Sequence, residues 1–116
     1  MDLHVLVLPG DGIGTEVTRE AVRVLRHVAA KWRHELHLTE GLLGGIAIHR
    51  TGTPFPEETA SLAAQADATL MGAVGLPEFD NAPPEQRPEK GLLKIRQALG
   101  VYANLRPCLL YTSPSL

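Results

Sequence analysis

Residues 3–8 read Leu-His-Val-Leu-Val-Leu and run straight into Pro9-Gly10-Asp11-Gly12-Ile13-Gly14. This junction constrains the fold more than any other stretch. A short β-rich apolar run reads as a buried strand, and proline ends it. Three glycines in five residues permit positive φ and let another group approach the backbone closely. A helix follows from near Thr15, the expected N-cap, with Glu16 in its first turn where a carboxylate suits the helix dipole. Val17, Ala21, Val24, Leu25, Val28 and Trp32 recur at spacings of three and four, opposite Arg19, Glu20, Arg23, Arg26, His27 and Lys31. One apolar stripe is therefore expected to face a core. Glu35 to Thr39 alternates apolar and polar residues and reads as a second strand. Strand, glycine loop, helix and strand together predict an α/β domain.

The rest of the chain continues the alternation. Gly44-Gly45 and Thr51-Gly52-Thr53-Pro54 punctuate a loop-rich region. Pro56, Glu57 and Glu58 open a helix to about Ala66 that buries Leu62, Ala63 and Ala66. Ala68 to Met71 reads as a strand ending at Gly72-Ala73-Val74-Gly75. Leu76 to Pro88 holds four prolines and reads as a long irregular loop, which in a compact domain is commonly functional. A helix from about Glu89 to Leu99 stops at Gly100, and Val101 to Leu105 is expected to form another strand. There is no internal repeat.

Composition removes several functions. A length of 116 residues suits one domain and is too short for a large multidomain enzyme complete in itself. The net charge of −2 leaves no basic surplus for a nucleic-acid backbone. Two Phe, two Tyr and one Trp are too few for a base-stacking platform. No apolar run approaches the ~18–20 residues that cross a bilayer, and the proline and glycines at 9–12 break the first apolar stretch too early for a signal peptide. The one cysteine, Cys108, excludes an internal disulfide and a multi-cysteine zinc site. The cytoplasm is the expected compartment.

Three constellations bear on chemistry. The glycine loop is spaced G-x-G-x-G, not the G-x-G-x-x-G of a Rossmann fingerprint, and no Walker Lys-Ser/Thr pair follows. It reads either as backbone N–H groups offered to a phosphate or as a structural turn. Glu89, Leu92, Leu93 and Arg96 stand at i, i+3, i+4 and i+7 and project from one helix face. Acid, apolar, apolar, base suits a pocket for an apolar group beside a carboxylate that arginine grips bidentately; a plain amphipathic helix with a surface Glu–Arg pair is the alternative. Arg106, in Asn104-Leu105-Arg106-Pro107, either joins Arg96 to clamp a dicarboxylate or is a charge in water. His4, His27, His34, His37 and His49 lack ligand spacing and read as surface or structural residues. No carboxylate cluster offers a hard-cation site, and no Ser-His-Asp or Cys-His nucleophile has local support.

Taken together, LPGDGIGTEV, GTPFPEET, MGAVGLPEFDNAPPEQRPEKGLL and KIRQALGVYANLRP resemble the β-decarboxylating dehydrogenases of the isocitrate/isopropylmalate dehydrogenase family, most closely its 3-isopropylmalate branch. The resemblance covers Leu3 to Pro107. It implies the N-terminal part of the two-domain fold of that family, an α/β fold that is not a classical Rossmann fold. Residues 1–107 would belong to the first domain. Residues 108–116 depart from the basic, aromatic strand of relatives and read as an atypical, non-native tail.

The resemblance also implies residue roles. Arg96 and Arg106 match arginines that bind the malate carboxylates. Leu92 and Leu93 match the pair lining the isopropyl pocket. Glu89 matches the acid between substrate and nicotinamide. Ile13, Gly72 and Val74 match residues near the cofactor, and the turn from Gly72 to Gly75 a loop edging the same cleft. His49 stands where relatives usually carry aspartate. The reaction implied is NAD-dependent oxidative decarboxylation of 3-isopropylmalate to 4-methyl-2-oxopentanoate (2-oxoisocaproate) in leucine biosynthesis. It would use NAD and Mg2+ or Mn2+ in a cytoplasmic homodimer, with no nucleic-acid or membrane partner. Relatives run to about three times this length. The metal-binding aspartates and the Lys–Tyr acid and base are expected beyond residue 116, so no catalytic or metal-ligating residue is assigned here and the fragment alone is expected to be inactive. A tartrate/D-malate dehydrogenase of the same family and a small non-enzymatic nucleotide-binding α/β module are the competing readings.

Overall fold

The computed structural model describes residues 1–108; apart from Cys108, the tail set apart above lies outside them. Three strands and four helices follow one another as β1 (Asp2–Gly10), α1 (Gly14–Lys31), β2 (Glu35–Glu40), α2 (Gly45–Thr51), α3 (Glu57–Gln65), β3 (Ala68–Ala73) and α4 (Pro88–Leu99). Short 3-10 turns at Pro77–Phe79 and Pro84–Gln86 interrupt the proline-rich loop. The strands form one parallel sheet in the order β2-β1-β3. The chain leaves β1 for β2 on one side and then crosses to β3 on the other. The carboxyl ends of β1 and β3 therefore flank a topological switch point, where open α/β sheets bind ligands.

Because β1 is central, both of its faces are covered. Leu6 and Leu8 pack with Leu43, Ala63 of α3 and Ile95 of α4, and Phe55, Leu62, Met71, Val74 and Leu92 close around them. Val7 is buried as well, and alternation turns it toward α1. Each fully buried leucine contributes about 2 kcal/mol, so this cluster anchors α3 and α4 to the central strand.

Helix α1 packs on a face other than the one its apolar periodicity suggests. Gly14, Thr18 and Ala29 are buried, whereas Val24 and Trp32 are 63% and 65% exposed and Val17 and Val28 also face outward. Two seams run side by side, and close approach selects the one with small residues. A Cβ on Gly14 would collide with the Pro9 carbonyl oxygen and stand 2.8 Å from the Ala73 nitrogen. A branched side chain there would lift the helix off β3.

The helix also starts earlier than Thr15. Ile13 is the N-cap, and the Thr15 hydroxyl donates to the Gly12 carbonyl at 3.1 Å without capping a backbone N–H. Helix α2 falls in the stretch read as loop. It has seven residues, starts after Gly44 and ends at Gly52 with φ 85°, too short for periodicity to show. Residues 101–105 form no strand. The segment is exposed and finds no neighbouring strand among the described residues, so its N–H and C=O groups have no ladder to join. Helix α4 ends at Gly100, as expected, with φ 67°. No described helix is long and apolar enough to cross a membrane.

Candidate functional site

The carboxyl ends of all three strands are tied together by Asp11, which is 4% exposed. Its Oδ2 accepts the N–H groups of Gly45 and Gly75 at 2.7 and 2.9 Å, and its Oδ1 accepts that of Ile46 at 2.7 Å. Its own N–H donates to the Ala73 carbonyl at 2.7 Å. One carboxylate thus caps α2 and fixes the turn after β3 from the loop after β1. Hydrogen bonds to a charged acceptor are the stronger kind. The sequence reading assigned Asp11 no role. The one local signal was an acid set between two glycines.

The glycine loop is a structural turn and not a phosphate cradle. The first N–H groups of α1 are already used, that of Gly14 on the Asp11 carbonyl at 2.8 Å, Thr15 on Gly12 at 3.4 Å and Glu16 on Ile13 at 3.1 Å. A helix N-terminus binds phosphate through free donors, so the failed Rossmann spacing has its structural counterpart. What the loop presents instead is Ile13, an apolar side chain that is 61% exposed.

Near the end of β3, Gly72 is set inside the contact between sheet and helix. A Cβ there would meet the Pro9 carbonyl oxygen and the Thr18 Oγ1, so packing explains its lack of a side chain. Val74 is half-buried against the core. Gly75 has φ 131°, a conformation that favours glycine, and the position of its missing Cβ is 3.3 Å from Glu89 Oε1. The structure therefore brings the turn after β3 and the first turn of α4 together.

The stripe on α4 divides. Leu92 turns to the core and Ile95 is buried, whereas Glu89, Leu93 and Arg96 stay exposed. The open face runs acid, apolar, base, with one leucine in place of the expected pair. Arg96 lines a shallow cavity of about 200 Å³ with Val101, Tyr102, Ala103 and Asn104. Arg106 is exposed and does not line it, so this cavity does not join the two arginines. A larger cavity of about 450 Å³ lies between α1 and β2, lined by Val7, Thr18, Arg19, Arg23, Leu42 and Ile46 among others. None of the site residues named from the sequence borders it.

Among the histidines, His49 pairs with Glu78 at 3.0 Å and lies against Phe79, and His4 stacks on His37. Among the described residues around the switch point, the Asp11 carboxylate is occupied by three N–H groups and joins no group with metal-ligand spacing. Among the described residues, the group with ligand spacing is Asp2, Glu35 and His37, at the amino ends of β1 and β2.

These features agree with three comparisons. The family model for isocitrate/isopropylmalate dehydrogenase matches residues 4–116. A 3-isopropylmalate dehydrogenase of Shouchella clausii is 56% identical over 107 residues, 92% of this chain and 29% of its own length. One of Bacillus caldotenax is 56% identical over 110 residues, 95% of this chain and 30% of its own. The crystal structure of a β-decarboxylating dehydrogenase from Thermococcus kodakarensis, in its apo form, superposes with a TM-score of 0.69 at 34% identity, covering 86% of this chain and 27% of that one. The chain thus spans about three tenths of the length of the curated relatives it matches. With the parallel sheet, the non-Rossmann glycine turn and these matches in hand, the chain belongs to the isocitrate/isopropylmalate dehydrogenase family.

Proposed function

We propose that this chain forms part of an NAD-dependent dehydrogenase that oxidises 3-isopropylmalate and releases carbon dioxide to give 4-methyl-2-oxopentanoate, a step of leucine biosynthesis. Its relatives in Shouchella clausii and Bacillus caldotenax carry the 3-isopropylmalate name. The observation that carries the reading is the open face of α4, where Glu89, Leu93 and Arg96 stand exposed in that order while their helix is anchored through Ile95.

Each residue has a physical task. Arg96, with Arg106, offers planar forks that pair with carboxylates bidentately and so orients the hydroxyl-bearing carbon. Leu93, flanked by the edge of Leu92, gives the branched alkyl group an apolar surface worth about 2 kcal/mol when covered. A substituent carboxylate, as in isocitrate, would lose its water there without gaining a partner. Ile13 and Val74 border the switch point at the end where the nicotinamide is proposed to lie, with the backbone of Gly72 and Gly75 nearby. NAD, when bound, accepts the hydride. Glu89, whose Oε1 approaches Gly75, is proposed to stand between that end and Leu93, with its carboxylate toward both ligands. The family also implies Mg2+ or Mn2+, which would polarise the hydroxyl oxygen when bound; its ligands are proposed to lie outside residues 1–108. A homodimer in the cytoplasm completes the proposal.

A chimera tests it. Residues 4–107 replace the matching stretch of the Bacillus caldotenax relative, and NADH formation is followed with 3-isopropylmalate, isocitrate, D-malate and tartrate. Preference for 3-isopropylmalate is the expected result. Preference for isocitrate overturns the reading, and preference for D-malate or tartrate moves the chain to that branch of the family.

A further inference from the structure

We propose that the amino-terminal edge of the sheet binds a divalent transition-metal ion of zinc-like chemistry through Asp2 of β1 and Glu35 and His37 of β2. The parallel register sets Asp2 opposite Glu35 and His4 opposite His37. Since side chains alternate along a strand, all four occupy one face of the sheet. A carboxylate oxygen of Asp2, one of Glu35 and a ring nitrogen of His37 lie within 4.8 Å of one another. Ligand bonds of about 2.0–2.2 Å to zinc need these atoms somewhat closer together, which a rotamer adjustment of exposed side chains supplies.

Two further observations point to a cation. The His37 ring is stacked on that of His4, with centroids 4.6 Å apart and planes at 14°. This stack covers one face of the donor ring and leaves its nitrogens at the edge, open to a ligand. Moreover, among the described residues neither carboxylate nor His37 has an ion pair or a side-chain hydrogen bond. Two carboxylates directly opposite across a strand pair repel, and among the described residues no lysine or arginine lies within ion-pairing distance of either. An ion between them would offset the repulsion.

The donor set chooses the ion. One imidazole with two carboxylates suits zinc, cobalt or nickel, whereas magnesium prefers oxygen ligands and retains its water. Three protein ligands leave a position for water. The site lies at the opposite end of β1 from Gly10, roughly 25 Å away at ~3.3 Å per residue, and owes nothing to the dehydrogenase reading. Since its ligands come from positions 2, 35 and 37, only the paired strands assemble it, and an ion there would pin β1 to β2.

The test is equilibrium dialysis of Zn2+ against the 116-residue chain, with Co2+ absorption as a second readout of coordination. One ion per chain is expected, undisplaced by an excess of Mg2+. His37→Ala and the double change Asp2→Asn with Glu35→Gln should each weaken binding about tenfold or more, and His27→Ala should leave it unchanged. Asp2→His, which adds a second nitrogen donor, should tighten binding, an effect that misfolding cannot imitate. Guanidinium should abolish the site. Absence of uptake by the unaltered chain overturns the proposal, as does unchanged affinity in His37→Ala or equal uptake in denaturant.

Discussion

At the scale of single residues, Asp11 has the largest structural consequence. It is buried, and its three N–H donors come from the first two residues of α2 and from the turn after β3, both far from it in sequence. Removing the acceptor leaves those donors without a partner, at about 1–3 kcal/mol for each buried polar group left unsatisfied. Asp11→Ala is therefore expected to destabilise the chain by about 3 kcal/mol or more, read as a fall in the urea midpoint. Asp11→Asn should recover only part, since its amide group turns a donor toward a donor. A loss below about 1 kcal/mol for Asp11→Ala would show that water replaces the carboxylate at little cost. Glu89 and Arg96 differ from Asp11 in being exposed, so changes there should spare stability and act on ligands.

At the scale of elements, the alternation of strands and helices was legible because each long element carries a local signal. The apolar run at residues 3–8 marked β1, Pro56 with two glutamates marked the start of α3, and Gly100 marked the end of α4. The misses are non-local. Helix α2 is capped from residue 11, and no window around Gly45 contains that information. The docking face of α1 is chosen by how closely β3 approaches, which the helix's own periodicity cannot reveal. The segment 101–105 has strand-like residues but, among the described residues, no partner. In the site, the spacing of Glu89, Leu93 and Arg96 was legible because α4 is regular. The turning of Leu92 into the core depends on Leu6 and Leu8 and was not. The open stripe of Val17, Val24, Val28 and Trp32 is a large apolar face on an otherwise charged helix, and exposed faces of this kind drive association. The 116-residue chain should therefore self-associate at micromolar concentration, and Val24→Glu with Val28→Glu should shift it toward monomer in sedimentation velocity. A monomeric unaltered chain would mean that the stripe is covered in solution.

At the scale of the molecule, a three-stranded parallel sheet places its loops at one end and its proposed metal site at the other. The first end unites the Ile13 tip, the turn after β3 and the open face of α4, and Asp11 ties the loop after β1 to the start of α2 and to the turn after β3. The central claim is that this face selects a branched alkyl substrate, with Leu93 supplying the surface. The most direct measurement is kcat/KM of the Bacillus caldotenax chimera for 3-isopropylmalate and for unbranched D-malate, before and after Leu93→Ala. The account predicts a fall of about tenfold or more for 3-isopropylmalate, equivalent to about 1.4 kcal/mol of lost apolar contact, and little change for D-malate. An equal fall for both substrates, or none for either, would contradict it.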